Sequence, residues 1–309
     1  MLLVVAPNLA VDRILEVDGF RPSAVQRSLS AFSQPGGKGS NVARVFRQLG
    51  GDVVLAGLVG ERNAAQIVEP LKAMGVHVEA IQAFPGESRT CTIIRDLSGA
   101  HPTVINEESS QIQPGIQKDF VTLIDRWLPQ AAAVLVTGSL SSGLPQDFYR
   151  LVLDRARVLG SPAMIDATGP ILREGLRGKP AILKANVLEA ATVLESIGAT
   201  PRDVARRLKG KPGLPAQTLV TFGSEGAVFV EGGKAWFCTA PPVPPVNPIG
   251  AGDSFAAGYL KACIDGTPHP EALRVATAVA AADVTTLRPG WIAGEDLVSL
   301  LASTSVEEW

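Results

Sequence analysis

From end to end of this sequence, short apolar runs alternate with amphipathic segments, and that rhythm constrains the fold more than any other feature. Leu2–Ala6, Val53–Gly57, Ala132–Thr137, Ala163–Asp166, Ala181–Lys184, Thr218–Thr221 and Ala227–Val230 read as buried strands. Between them Val42, Val45, Phe46 and Leu49 make one apolar face at helical spacing within Ser40–Leu49. Ile67, Leu71 and Met74 do the same, and Asp147–Leu159 and Val187–Ile197 repeat the pattern. A strand that is apolar at every position has both faces covered. Strand–helix alternation of this kind predicts an α/β fold with a mostly parallel sheet between helical layers.

Composition narrows the function classes. The 309 residues are 46% hydrophobic, enough for a sizeable core, and the formal net charge is -2. No global positive field draws such a chain to nucleic acid, so any anion site is local. Cys91, Cys238 and Cys263 are widely separated among apolar neighbours and read as reduced thiols of a cytoplasmic protein. His77, His101 and His269 lack metal-ligand spacing. The opening MLLVVAPNLAVDRI reads as a first strand and not as a signal peptide. No apolar run is long enough to cross a membrane: Val275–Val284 is short, carries Asp283 and reads as a buried helix. No nucleic-acid or membrane partner is expected.

Two regions break the rhythm. Ile14–Phe32 is mixed and extended, and Arg89–Asn106 reads as two strands around a turn at Asp96–Ala100. Both are too polar at alternate positions to be central strands. They fit a small outlying sheet that covers a site, and equally fit ordinary edge strands. The proline-rich Ala240–Pro248 cannot be a central strand and reads as a stiff connector.

That connector delivers the chain to the strongest local signal, Asn247-Pro248-Ile249-Gly250-Ala251-Gly252-Asp253-Ser254-Phe255, a glycine turn feeding a helical pattern. Glycines let backbone N–H groups converge on a ligand, and a helix N-terminus adds partial positive charge, so this is an anion site. An aspartate beside a bound phosphate repels it unless it does chemistry, and its natural task is to take the proton of an attacking hydroxyl. A second glycine turn, Pro35-Gly36-Gly37-Lys38-Gly39-Ser40-Asn41, lacks the spacing of a Walker loop and suits a small polar ligand. Thr221-Phe222-Gly223-Ser224-Glu225-Gly226 and Lys184-Ala185-Asn186 with Glu189 follow strands in the same way. In open parallel sheets ligands collect at the carboxyl ends of strands, so these four turns are placed to line one cleft.

Taken together, the chain resembles the ribokinase-like pfkB carbohydrate kinases essentially end to end. The resemblance is carried by Gly36-Gly37-Lys38-Gly39-Ser40-Asn41, Gly138-Ser139-Leu140, Lys184-x-Asn186-x-x-Glu189 and Gly250-Ala251-Gly252-Asp253. Pro7-Asn8-Leu9-Ala10-Val11-Asp12, Glu87-Ser88-Arg89-Thr90, Asn106-Glu107 and Asn247-Pro248-Ile249-Gly250 make it most similar to the hexose-phosphate branch, the kinases of fructose 1-phosphate, fructose 6-phosphate and tagatose 6-phosphate.

The resemblance implies one domain over 1–309, a three-layer α/β/α sandwich with a mostly parallel sheet and a small β-sheet lid from about 14–32 and 89–106. It implies ATP and magnesium, a sugar-phosphate substrate and a homodimer paired through the lid. Asp253 matches the general base, and Gly250, Ala251 and Gly252 the anion hole. Asp12, Gly37, Lys38 and Asn41 match sugar contacts, and Arg89 and Ser139 the hold on the substrate's own phosphate. Asn186 and Glu189 match the motif that organises magnesium, largely through water. Lys184, Thr221, Gly223 and Gly226 match the ATP phosphate region, and Ala280 lies where the adenine pocket closes. The chain departs from the family pattern at Ser141-Ser142, at Ala185, at Thr103–Asn106, which has no arginine, and at Asn247, where ribokinases carry an aspartate tied to a monovalent cation. A kinase of an unphosphorylated sugar or nucleoside, and a non-catalytic sugar-binding relative, remain as alternatives.

Overall fold

The computed structural model describes residues 1–99, 101–194, 200–292 and 294–309. Its strands are β1 (Leu2–Ala6), β2 (Ala10–Val17), β3 (Ser30–Gly36), β4 (Val53–Gly60), β5 (His77–Phe84), β6 (Thr90–Asp96), β7 (Thr103–Asn106), β8 (Ala133–Thr137), β9 (Ala163–Asp166), β10 (Ile182–Asn186), β11 (Gln217–Thr221), β12 (Gly226–Glu231), β13 (Lys234–Thr239) and β14 (Ser305–Glu308). Its helices are α1 (Lys38–Gln48), α2 (Ala64–Ala73), α3 (Ile116–Trp127), α4 (Phe148–Val158), α5 (Gly169–Leu176), α6 (Val187–Leu194), α7 (Pro201–Leu208), α8 (Ala251–Ile264), α9 (His269–Val284) and α10 (Gly294–Ser303).

Among the described residues the main sheet has ten strands in the order β14-β13-β12-β11-β10-β9-β8-β1-β4-β5. From β11 to β5 every pairing is parallel, and β12, β13 and β14 extend it antiparallel. Because side chains alternate across a strand, β1 feeds two cores at once. Leu3 and Val5 join the cluster that includes Phe120, Phe148 and Leu172, under α3 to α5. Leu2 and Val4 join the cluster that includes Val42, Phe46, Ile67, Phe255 and Leu273, under α1, α2, α8 and α9. That double burial is the reason β1 is apolar throughout. The fold is the ribokinase-like three-layer sandwich.

A second sheet, in the order β3-β2-β6-β7, stands apart from the first. It is mixed: β2 runs parallel to β6, and the other two pairings are antiparallel. The segment expected over 14–32 is two strands that begin earlier and end later, joined through residues 18–29. Hydrogen bonds tie this sheet to the body. Arg95 Nε donates to the Val246 carbonyl at 2.9 Å, and Gln34 Nε2 to the Pro289 carbonyl at 3.0 Å. The structure places Lys184, Ala185 and Asn186 inside β10, where the sequence pattern had suggested a turn after the strand. The expected helix end at Ile197 lies outside the described residues. Among the described residues no helix is long and apolar enough to cross a membrane.

Candidate active site

A cleft of about 1340 Å³ opens along the carboxyl edge of the parallel strands, under the second sheet. Asp12, Arg89 and Cys91 line it from the small sheet, Gly37, Lys38 and Asn41 from the start of α1, and Ser139 from the turn after β8. Lys184 and Asn186 reach it from β10, Glu189 from α6, and Thr221, Gly223 and Gly226 from the β11–β12 turn. Gly250, Ala251, Gly252 and Asp253 enter with the first turn of α8, and Ala280 with α9. Every residue singled out in the sequence therefore borders one cavity, although they come from opposite ends of the chain.

The glycine turn owes its shape to two close approaches. Gly250 precedes α8 at φ +94°, and a Cβ there would stand 2.8 Å from the Gly290 nitrogen. A Cβ on Gly252 would stand 2.9 Å from Lys184 Nζ and would push that ammonium back from the turn. No side chain caps the helix, whose Ala251 and Asp253 N–H groups donate to the Pro248 and Gly250 carbonyls at 3.4 and 2.9 Å, and its N-terminal end carries the partial positive charge that favours an anion.

Charge at the centre is arranged around two carboxylates. Asp166, at the end of β9, is fully buried and accepts from Lys38 Nζ at 2.7 Å and Lys184 Nζ at 3.2 Å. Burial pushes its carboxyl up, but Lys184 and Lys38 outweigh that and hold it below the usual value. Burial alone would lower the Lys38 ammonium, and Asp166, Asp253 and Glu189 instead raise it, so Lys38 stays charged. Asp253 differs. Its Oδ2 accepts from Asn41 Nδ2 at 2.9 Å, and burial raises its carboxyl to about 6 despite Lys38. Asp12 also rises to about 6, through burial that Arg44 and Arg89 only partly offset.

Asn186 and Glu189 explain each other locally. Glu189 Oε2 accepts from the Asn186 N–H at 2.8 Å, and Asn186 Oδ1 accepts from the Glu189 N–H at 2.8 Å. This is a capping box at the start of α6. Glu189 Oε1 is left 3.5 Å from Lys38 Nζ. On the small-sheet side of the cleft the Arg89 Nε is buried without a hydrogen-bond partner.

Asp166 was not anticipated from sequence; its one signal is an acidic residue closing an apolar strand. Nor was Arg44, which is buried in α1 among Val42, Val45 and Phe46. Asn8, whose Nδ2 donates to Ser139 Oγ at 2.8 Å, and His101, between β6 and β7, also line the cleft.

The model of the pfkB family carbohydrate kinases matches residues 2–290. This chain belongs to the pfkB family. It is an ATP-dependent carbohydrate kinase. Among its relatives is a 1-phosphofructokinase of Rhodobacter capsulatus, 32% identical over 314 residues that cover 99% of this chain and 97% of the relative. Phosphofructokinase-2 of Escherichia coli, in complex with substrates and products, superposes with a TM-score of 0.87 at 19% identity, over 97% of this chain and 98% of that one. A possible 1-phosphofructokinase of Thermotoga maritima gives a TM-score of 0.85 at 20% identity, over 100% and 99%. Arabidopsis thaliana ribokinase complexed with ribose and ATP gives 0.76 at 22% identity, over 97% and 98%. At those identities the structural likeness shows the fold. The pfkB assignment accounts for a cleft whose floor is an uncapped helix start flanked by two lysines.

Proposed function

We propose that this kinase transfers the γ-phosphoryl group of ATP to a hydroxyl of a ketohexose phosphate, with Asp253 as general base. The observation that carries the reading is the position of Asp253: a cleft-lining carboxylate in the first turn of α8, oriented by Asn41, whose pKa of about 6 leaves it largely ionised at neutral pH yet basic enough to accept a proton. Asp12, Gly37, Lys38 and Asn41 are assigned to the sugar. Gly250, Ala251, Gly252 and Lys184 stabilise charge on the phosphoryl oxygens. Thr221, Gly223, Gly226 and Ala280 border the nucleotide. Arg89 carries an unpartnered buried donor, which supports recognition of a phosphate on the substrate, with Ser139 beside Asn8.

Among the described residues no group of three His, Cys, Asp or Glu is built to hold a metal ion. Glu189, with one oxygen in the capping box, suits a hydrated magnesium ion carried by the phosphates, held through water. Such an ion, when bound, neutralises charge on the phosphates. The chain reads as one domain over 1–309 with the small sheet as its lid. Exposed Val25, Leu29, Leu97, Val104 and Ile105 on and beside that sheet support pairing of two lids.

The name of the Rhodobacter relative supports fructose 1-phosphate as the first substrate to test. The experiment measures ADP release from ATP with fructose 1-phosphate, fructose 6-phosphate, tagatose 6-phosphate, fructose, ribose and adenosine. A hexose phosphate is expected to give the highest kcat/KM. A free sugar or nucleoside that exceeds all three phosphates would sink the substrate class.

A further inference from the structure

The contacts that orient Asp253 continue below the cleft. Asn41 gives its Nδ2 to Asp253, and its Oδ1 accepts from Arg44 Nη1 at 3.2 Å. Arg44 is 1% exposed and lies outside the cleft lining. The same guanidinium donates to the Pro289 carbonyl at 2.8 Å and, through Nη2, to the Pro35 carbonyl at 2.5 Å. It is held where the root of β3, α1 and the loop after α9 meet. A guanidinium only donates, and an ionised carboxylate only accepts. An amide placed between them has a single workable orientation, oxygen toward Arg44 and NH2 toward Asp253.

We propose that Arg44 is a positioning residue: by holding Asn41 Oδ1 it fixes the amide so that its NH2 faces Asp253 and favours the ionised carboxylate that accepts the substrate proton. This rests on Asp253 being the general base. The surrounding charges are consistent with a post held for its geometry. Asp12 from β2, Asp283 from α9 and, more weakly, Asp253 from α8 face Arg44, with Arg288 opposing, and burial still lowers the guanidinium to about 10. Around Asp253 stand Lys38 of α1, Asp166 of β9, Lys184 of β10 and Asp283 of α9. If Arg44 only stapled β3 to the loop after α9, its loss would change stability and leave the titration of Asp253 where it is.

The test measures kcat/KM for the preferred sugar phosphate from acid to alkaline pH, at saturating ATP, for the wild type, Arg44→Met and Arg44→Lys, with urea unfolding of each. The wild-type acid limb is expected near 6. Losing the charged hydrogen bond should move it up by about one pH unit in Arg44→Met, a roughly tenfold loss of kcat/KM on the acid side. The KM for ATP should stay unchanged. Arg44→Lys keeps the charge but not the planar fork, so its limb should also move up, by less. An unmoved limb in a folded Arg44→Met overturns the inference. So does an unmoved limb in folded Arg44→Lys, which would assign any effect to charge alone. If Arg44→Met does not fold, Arg44→Lys decides; if neither folds, Arg44 is a structural pin and the positioning role is wrong. Asp253→Asn, run alongside, separates the two failures: retained turnover there removes the general base, and an inactive Asp253→Asn beside a silent Arg44 removes only this inference.

Discussion

Replacing Asp253 by asparagine should make the protein more stable and nearly inactive at once. Burial lifts this carboxyl from its ordinary 3.8 to about 6. At 1.36 kcal/mol for each pH unit, keeping it ionised in the folded state above pH 6 costs on the order of 3 kcal/mol. Because the folded pKa is the raised one, the native state binds the extra proton between about 4 and 6. Stability therefore falls as pH rises through that window and stays lower above it. An asparagine at this position would carry no charge at any pH, and its amide oxygen can still accept from Asn41. The variant should gain about 1–3 kcal/mol over the wild type at pH 8, with the gain shrinking to nothing by pH 4. Turnover should fall by about 10²- to 10⁴-fold. Urea unfolding at pH 4, 6 and 8, paired with steady-state kinetics, reads both quantities. A folded variant no more stable at pH 8 than at pH 4, relative to wild type, would refute the burial argument; near-wild-type turnover would refute the base.

Two further substitutions probe the small-sheet side of the cleft and the ion pairs beneath it. Arg89→Ala should raise the KM for the sugar phosphate roughly ten- to a hundredfold, the cost of a hydrogen bond to a charged group, and leave the KM for ATP unchanged; an unchanged sugar-phosphate KM would make Arg89 an ordinary lid residue. Asp166→Asn leaves two ammonium groups without their shared anion and should destabilise by about 3–5 kcal/mol, read by urea unfolding. Since the Asp166 carboxyl is held below its ordinary value, that loss should be constant through neutral pH and shrink only in acid, below about 4.

What the sequence disclosed follows from range of interaction. The parallel strands were legible because double burial demands unbroken apolar runs, as in Leu2–Ala6. The outer strands β13 and β14 were not. Lys234–Thr239 has only two buried positions and Ser305–Glu308 none, and their strand character comes from pairing with β12 and with each other. The same holds in the site. Gly250 to Asp253 announce themselves locally because a glycine turn and a helix start are neighbours in sequence. Asp166 becomes distinctive only when Lys38, 128 residues away, and Lys184 fold onto it. Arg44 looked like the polar side of an amphipathic helix. It is buried because the root of β3 and the loop at Pro289 close over α1, a cover no local pattern encodes.

Asp166 and Asp253 sit in one charge network, and their surroundings push them to opposite behaviour. Two carboxylates separated in this way identify their own tasks. Asp166 has both lysines as direct partners and no exposed surface, so protonating it would take the carboxylate partner from buried Lys184 and leave Lys38 with Glu189 at 3.5 Å. It is a poor proton acceptor and a good fixed anion, one that keeps Lys38 charged and holds Lys184 against the turn. Asp253 has no direct lysine partner; Asn41 gives its carboxylate one neutral hydrogen bond, and it borders the cleft. Burial makes its charged form costly enough to raise its proton affinity, while a pKa of about 6 still leaves that form the main one at neutral pH. Exchanging the two environments would put the proton acceptor where no hydroxyl can reach it. On the proposed reading proton transfer falls to Asp253, while Asp166 holds the two cations that border the cleft.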